Sequence, residues 1–195
     1  MKPVLRCVLM LIGLVACGAQ ATHAAVINDF TGAFDVSNWT ITTPSGSDGF
    51  VTKNGPTSVT VASGNNAIPG NTDFSITMPF AGTVTFTWSF YTDDTPTFDP
   101  FFVGSASSFT QLSDDKGDTT QTGTEPVSVS LGAGDLFTFR ANTLDDQTYG
   151  RSQTTITKFS VTYADSGAVP EPTSMAIFGL GALGMAYRQR RKNKS

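Results

Sequence analysis

The middle of the sequence predicts an antiparallel β-sandwich with jelly-roll-like connections, and three observations support this all-β fold. Apolar and polar residues alternate with a period of two in many segments, as in strands with one buried face. Clusters of Gly, Pro, Asn and Asp separate these segments every 8 to 15 residues, a spacing typical of sandwiches. Within 26–168, no window of 12 residues has an apolar period of 3.6, which disfavours a helical domain.

The clearest strand places Val84, Phe86, Trp88 and Phe90 on one face and Thr or Ser on the other. The same alternation recurs at 59–61, 74–80, 127–131, 137–139 and 159–163. We expect about ten short strands in all. Burial of most of the 15 Phe and both Trp, at roughly 1.5–3 kcal/mol each, would supply an adequate core without disulfides.

Residues 1–25 are predicted to be a helical secretory signal peptide. Two basic residues precede an uncharged stretch at 7–19, which is too short for a first choice as a membrane span. Ala-rich sites follow, and we expect signal peptidase to cut near Ala25. One alternative stays open, because Leu14 to Cys17 resembles a bacterial lipoprotein box. In that case Cys17 would be lipidated and the protein would be a permanently anchored lipoprotein.

The positions of cysteine and histidine exclude many chemistries from the mature domain. Cys7, Cys17 and His23 all lie in the predicted signal, so the domain at 26–168 has no disulfide, thiol nucleophile, Cys/His zinc site or His-based triad. Its only glutamate is Glu125, whereas a glycosidase requires two placed carboxylates. We therefore expect a non-catalytic domain with no cofactor apart from a candidate calcium ion.

The charge of the domain is strongly negative. Residues 26–168 contain 15 acidic and 5 basic residues, a net charge of −10. The seven basic residues and one acidic residue outside this range, most of them in the C-terminal tail, bring the whole chain to −4. A nucleic-acid-binding surface needs a basic patch. The sequence therefore predicts no nucleic-acid partner.

The C-terminal residues 169–195 have three parts in a fixed order. Pro170, Glu171 and Pro172 form an extended linker, and 173–187 is an uncharged apolar segment predicted to be a short helix. Fifteen helical residues span about 22 Å, which is short of a bilayer core of about 30 Å. The basic tail at 188–194 follows and includes a cytoplasmic-type stop formed by Arg188, Arg190, Arg191 and Lys192.

These three parts resemble the PEP-CTERM sorting signal of Gram-negative bacteria. The resemblance implies that an exosortase, an intramembrane cysteine transpeptidase, recognises Pro170, Glu171 and Pro172 and cleaves at or near them. It further implies an inner-membrane anchor before processing, then delivery to the cell surface or extracellular matrix, in association with exopolysaccharide and biofilm. The middle of the chain is similar in rhythm to the secreted β-sandwiches often found before such tails. The alternative is a C-terminal anchor that is never processed.

Acidic loops are the candidate metal site. Calcium prefers six to eight hard oxygen ligands, which carboxylates and loop carbonyls supply. The alternative is solvated turns, because Asp is a natural turn residue. The candidate ligands occupy two loops and are Asp93, Asp94, Asp99, Asp114 and Asp118.

Two further patterns are candidates for sugar contact. Phe98, Phe101 and Phe102 lie in a stretch predicted to be a loop, where exposed rings would stack on sugars, although core burial is the alternative. Threonine groups at 83–87 and 40–43 are typical of a wet strand face or of polysaccharide contact. The sequence thus predicts an exported structural or adhesive sandwich, with a carbohydrate- or calcium-binding module as the alternative.

Overall fold

The computed structural model describes residues 23–106, 108–144 and 148–165, and it confirms the all-β sandwich. A compact unit covers Ala24–Ala164. Residues 1–22 of the predicted signal, which include Cys17, lie outside the described residues, as do the Pro-Glu-Pro motif, the apolar C-terminal segment and the basic stop. The last three residues of the predicted signal, 23–25, belong to the strand His23–Asn28, so the helix predicted for them is wrong because this segment pairs with a sheet. The predicted domain limits at 25/26 and 168/169 therefore stay predictions.

Eleven strands lie in the described ranges, one more than the rough number expected. Their bounds are β1 His23–Asn28, β2 Thr40–Thr42, β3 Phe50–Lys53, β4 Ser58–Ala62, β5 Gly70–Thr77, β6 Gly82–Thr92, β7 Phe101–Ser105, β8 Ser108–Gln111, β9 Thr120–Leu131, β10 Leu136–Thr143 and β11 Ser152–Asp165. Two single-turn 3-10 helices, Gly32–Phe34 and Val36–Asn38, precede β2.

The strands form two sheets with antiparallel pairing. The larger sheet has the order β3-β4-β11-β6-β9, with β1 also paired to β11, and the smaller has the order β2-β5-β10-β7-β8. Chain neighbours such as β4 and β5 lie in different sheets, so several connections cross between the layers. Each sheet turns one apolar face towards the other, as sandwiches require.

The alternation seen in the sequence is realised in the central strands. In β6, Val84, Phe86, Trp88 and Phe90 are buried, while the threonines between them are half-exposed. In the edge strand β9 the same pattern buries less, because Val127 and Val129 are only partly covered.

A β-bulge interrupts the alternation in β11. Its register with β6 shifts between Thr157 and Ser160, and Lys158 adopts a φ of 50°. The extra residue leaves Lys158 exposed and returns Phe159 to the core three positions after Ile156. Through the carbonyl of Phe159, the bulge also accepts a hydrogen bond from the backbone N–H of Asp29 at 2.7 Å.

Trp39 is the centre of the aromatic core. Its ring stacks on Phe74 with centroids 4.5 Å apart and lies parallel to Phe139 at 5.8 Å, both in the smaller sheet. It meets Phe159 of the larger sheet edge-on at 5.8 Å. Its indole N–H donates to the carbonyl oxygen of Phe34 at 3.0 Å, which satisfies the one polar atom of the buried ring.

The sheet edges are short or interrupted. β2 has three residues, and β3 and β8 have four each. The long edge strand β9 contains Pro126 and has a register shift opposite Phe86 and Trp88. A proline cannot donate to a further strand, so this edge is a poor template for pairing.

Replacement of a buried and of an exposed phenylalanine should have different effects on the free energy of unfolding. Replacement Phe139→Ala should lower the free energy of unfolding by about 3–5 kcal/mol, because a fully buried ring leaves a cavity among Trp39, Phe86 and Phe137. Phe98→Ala is the matched control, since that side chain is 40% exposed, and it should cost much less. Urea denaturation monitored by Trp fluorescence measures both, and equal losses would contradict this core.

Candidate functional site

The structure brings all the predicted calcium ligands to one end of the sandwich. Asp93 and Asp94 follow the end of β6, and the loop with Asp114 and Asp118 enters β9 beside it, since the N–H of Thr92 donates to the carbonyl of Thr119 at 2.9 Å. Asp99 lies between β6 and β7 at the same end. We call this region the Asp99 end.

Asp99 itself is a buried structural group. It is 2% exposed and accepts hydrogen bonds from the hydroxyls of Ser63 at 2.9 Å and Thr143 at 3.3 Å. Thr92 reaches its second oxygen at 3.5 Å. A buried carboxylate needs such partners. Because these hydroxyls come from or directly follow β4, β6 and β10, their hydrogen bonds to Asp99 connect the ends of the three strands.

Asp93 and Asp94 have local partners. The Tyr91 hydroxyl donates to Asp93, and this hydrogen bond, together with the carboxylate charge, raises the pKa of Tyr91 above its ordinary value of 10.0. Asp94 accepts from the backbone N–H of Thr95 at 2.6 Å. Both arrangements are typical of an acidic turn in water.

The loop with Asp114 and Asp118 is closed on itself by Gln121. The Gln121 amide donates to the carbonyls of Asp114 at 2.9 Å and Asp118 at 3.0 Å and accepts from the N–H of Asp114 at 2.7 Å. In the described ranges, no group of three or more His, Cys, Asp or Glu side chains is placed to hold a metal ion. Calcium binding by these loops stays a prediction.

The aromatic stretch divides into three environments. Phe98 is exposed in a turn, whereas Phe101 and Phe102 begin strand β7, so the loop predicted for them is wrong. Phe101 is fully buried against Phe139 and Trp88. Phe102 points to the opposite face and is partly exposed. The three rings therefore do not form one sugar platform.

The outer face of the smaller sheet carries an ordered set of polar and aromatic side chains that the sequence analysis missed. Strand register aligns them in two neighbouring rows across all five strands, β2 to β8, at about 4.8 Å per strand. One row is Thr42, Asp73, Arg140, Phe102 and Gln111, and the other is Thr40, Ser75, Thr138, Gly104 and Phe109.

Asp73, Arg140 and Phe109 form a fixed cluster on this face. Arg140 donates to both carboxylate oxygens of Asp73, from Nε at 2.7 Å and from Nη2 at 2.8 Å. Its guanidinium lies 3.9 Å from the centre of the Phe109 ring. Gly104 makes room for this ring, because a Cβ there would collide with Phe109 and with the Ser108 carbonyl. Bidentate pairing and stacking hold the guanidinium in one orientation.

A groove of about 470 Å³ borders this cluster, a volume within the range of small-ligand sites. Its lining includes four hydroxyl side chains from β2 and β5 and four apolar residues. The residues that line it are Ala33, Asn38, Thr40, Thr42, Asp73, Ser75, Ile76, Thr77, Pro79 and Leu136. Asp73 is the ionisable residue among them.

The 3-10 segment before β2 supplies the rim of the groove. The Asn38 amide N–H donates to the Ala33 carbonyl at 3.2 Å and to that of Gly32 at 3.4 Å. Asp35 caps the second turn by accepting from the Ser37 N–H at 2.8 Å, and the hydrogen bonds from Ser37 hold the pKa of Asp35 below its usual value. Ala33 and Asn38 are thereby fixed above β5.

Comparison with known proteins identifies the C-terminal region. A family model of the PEP-CTERM protein-sorting motif matches residues 168–192. The chain carries a PEP-CTERM sorting signal. This PEP-CTERM protein is thus exported, transiently membrane-anchored and processed by an exosortase.

Other comparisons with the PEP-CTERM protein are weaker. No curated protein matches it. Among solved structures, the K3 cleaved adhesin domain of Lys-gingipain from Porphyromonas gingivalis aligns with 72% of this chain and 99% of its own, at 18% identity and a TM-score of 0.42. An arabinose-bound α-L-arabinofuranosidase aligns with 74% of this chain but 26% of its own, at 12% identity and a TM-score of 0.37. Neither similarity supports a functional argument.

Within the described ranges, no helix is long and apolar enough to cross a membrane.

The contact between Tyr91 and Asp93 tests the acidic turn and its calcium prediction together. Asp93→Ala should lower the pKa of Tyr91 towards about 10, because the phenol loses its acceptor and the nearby negative charge. Spectrophotometric titration measures it, with Tyr91→Phe used to isolate its signal. Calcium on Asp93 would compete for the carboxylate and lower the same pKa. A pKa unchanged by millimolar calcium would contradict a calcium site at Asp93.

Proposed function

We propose that this exported PEP-CTERM protein is a non-catalytic structural or adhesive component of the cell surface or extracellular matrix, and that its domain associates with exopolysaccharide. The observation that carries the proposal is the groove on the outer face of the smaller sheet. Four hydroxyl side chains of β2 and β5 line this groove, namely Thr40, Thr42, Ser75 and Thr77. Each hydroxyl both donates and accepts hydrogen bonds, as do the hydroxyls of a polysaccharide.

The chemistry of the groove supports binding rather than catalysis. Hydrolysis of a glycosidic bond by the usual route needs one carboxyl as acid and a second as base or nucleophile. Asp73 is the carboxylate among the lining residues, and both of its oxygens accept hydrogen bonds from Arg140. Both oxygens are therefore engaged by the guanidinium, and the lining residues include no second carboxylate to complete an acid/base pair.

The fixed geometry of the face suits an adhesive role. Side-chain contacts of Asp73, Arg140 and Phe109 link three strands of the smaller sheet, β5, β10 and β8, across the intervening strand β7. Rigid elements present binding groups at a lower entropic cost than loops do. Calcium binding at the Asp99 end remains the second candidate, and it rests on the clustering of the acidic turns there.

Blocking the groove should abolish binding. Thr77→Trp places a large ring at an exposed position on its wall and should reduce retention of the host's exopolysaccharide at least tenfold in a pull-down. Thr52→Trp is the matched control, because Thr52 is equally an exposed strand threonine but lies in the larger sheet. Equal retention of both variants and the wild type would remove the groove from the proposal.

The intact mass of the native protein tests its processing. We expect the mature protein from its own host to lack the first ~25 residues and the residues after Pro172, because both signals are removed during export. Glu171→Ala should retain 173–195 and stay with the membrane. A wild-type mass that includes those residues would contradict release, and a lipid on Cys17 would identify the lipoprotein alternative.

A further inference from the structure

The net charge of the groove is close to zero although the domain is acidic. Asp73 is paired with Arg140 through two hydrogen bonds, with side chains 20% and 25% exposed. None of the other lining residues carries a charge. The groove therefore offers no free positive charge to an acidic ligand.

The rest of the domain acts against acidic ligands as well. Residues 26–168 have a net charge of −10, and such a charge repels a polyanion over roughly one Debye length, about 10 Å at 0.1 M salt. A sulfated or uronate-rich polymer would have to approach against this field without a cation in the groove to hold it. An uncharged polymer carries no such penalty.

The groove offers two kinds of group that suit a sugar ring. The hydroxyls of β2 and β5 suit the ring hydroxyls, and the neighbouring Asn38 amide is held in place by its hydrogen bonds to Gly32 and Ala33. Pro79 and Leu136 also line the groove, and Leu136 is 40% exposed and is the register partner of Thr77. Apolar side chains of this kind suit the C–H groups of a sugar ring, which also gain from leaving water.

We propose that the groove binds an uncharged polysaccharide chain. The hydroxyls of Thr40, Thr42 and Thr77 exchange hydrogen bonds with the sugar hydroxyls, while Leu136 and Pro79 contact its C–H surface. This inference rests on the proposed function, because it specifies the class of polysaccharide that the same groove takes. Arg140 is a positioning residue in this scheme, since it fixes Asp73 and neutralises it.

Affinity electrophoresis of the mature exported protein tests the assignment. The gels contain a neutral polymer (dextran, glucomannan or hydroxyethylcellulose), an acidic polymer (alginate or hyaluronate), or the host's own exopolysaccharide. We expect retardation by at least one neutral polymer, unchanged between 50 mM and 500 mM salt. Retardation by acidic polymers alone would overturn this inference and leave polysaccharide binding intact. No retardation by any polymer, the host's included, would overturn both.

Variants locate the site. Thr40→Val with Thr42→Val removes two hydroxyls from an exposed edge strand at constant volume, and affinity for the neutral polymer should fall about tenfold. Thr83→Val is the control, because its hydroxyl lies in the larger sheet, bonded to Ser130 at 3.2 Å. Circular dichroism melts confirm that each variant is folded. Neutral-polymer binding that survives both the double change and Thr77→Trp would place the ligand elsewhere and refute the groove as its site.

Discussion

The position of the candidate site depends on the burial of Trp39 between the two sheets. The indole ring stacks between aromatic residues of the smaller sheet and meets Phe159 of the larger one. Its N–H donates a hydrogen bond to the carbonyl of Phe34, so the 3-10 segment is fixed to the core by this bond as well as by burial. Ala33 and Asn38, on the exposed side of that segment, form the rim of the groove. The packing of Trp39 in the core therefore fixes the position of the groove's rim on the surface.

The sequence was informative where one side-chain period persisted. Alternation in β5 and β6 predicted both their strands and their buried faces, because a strand with one face in the core must alternate. It was less informative at the bulge in β11, since the extra residue Lys158 leaves no mark in composition. The short strand that begins at Phe101 directly follows Asp99 and Pro100, which are typical of turns, so the local sequence hides the start of the strand.

The candidate site was harder to predict because it depends on long-range register. Asp73 and Arg140 are 67 residues apart, and neither has a distinctive neighbour in the sequence. Thr40 and Thr42 stand out as a group in the sequence, but only the pairing of β2 with β5 places them beside Ser75 and Asp73. The acidic residues combine a local and a long-range feature. Their position in turns follows from the alternation of strands and turns along the sequence. The role of Asp99 as a buried acceptor, in contrast, depends on hydroxyls from three other segments.

The interrupted sheet edges have a consequence for the way in which copies of an exported domain can associate. Exported β-proteins at high local concentration are prone to polymerise by adding strands edge to edge, and long regular edges promote this. Here β2 offers three residues, and β9, although long, contains Pro126 and a register shift. These edges therefore disfavour amyloid-like assembly, and contacts between copies are directed to the faces of the sheets instead.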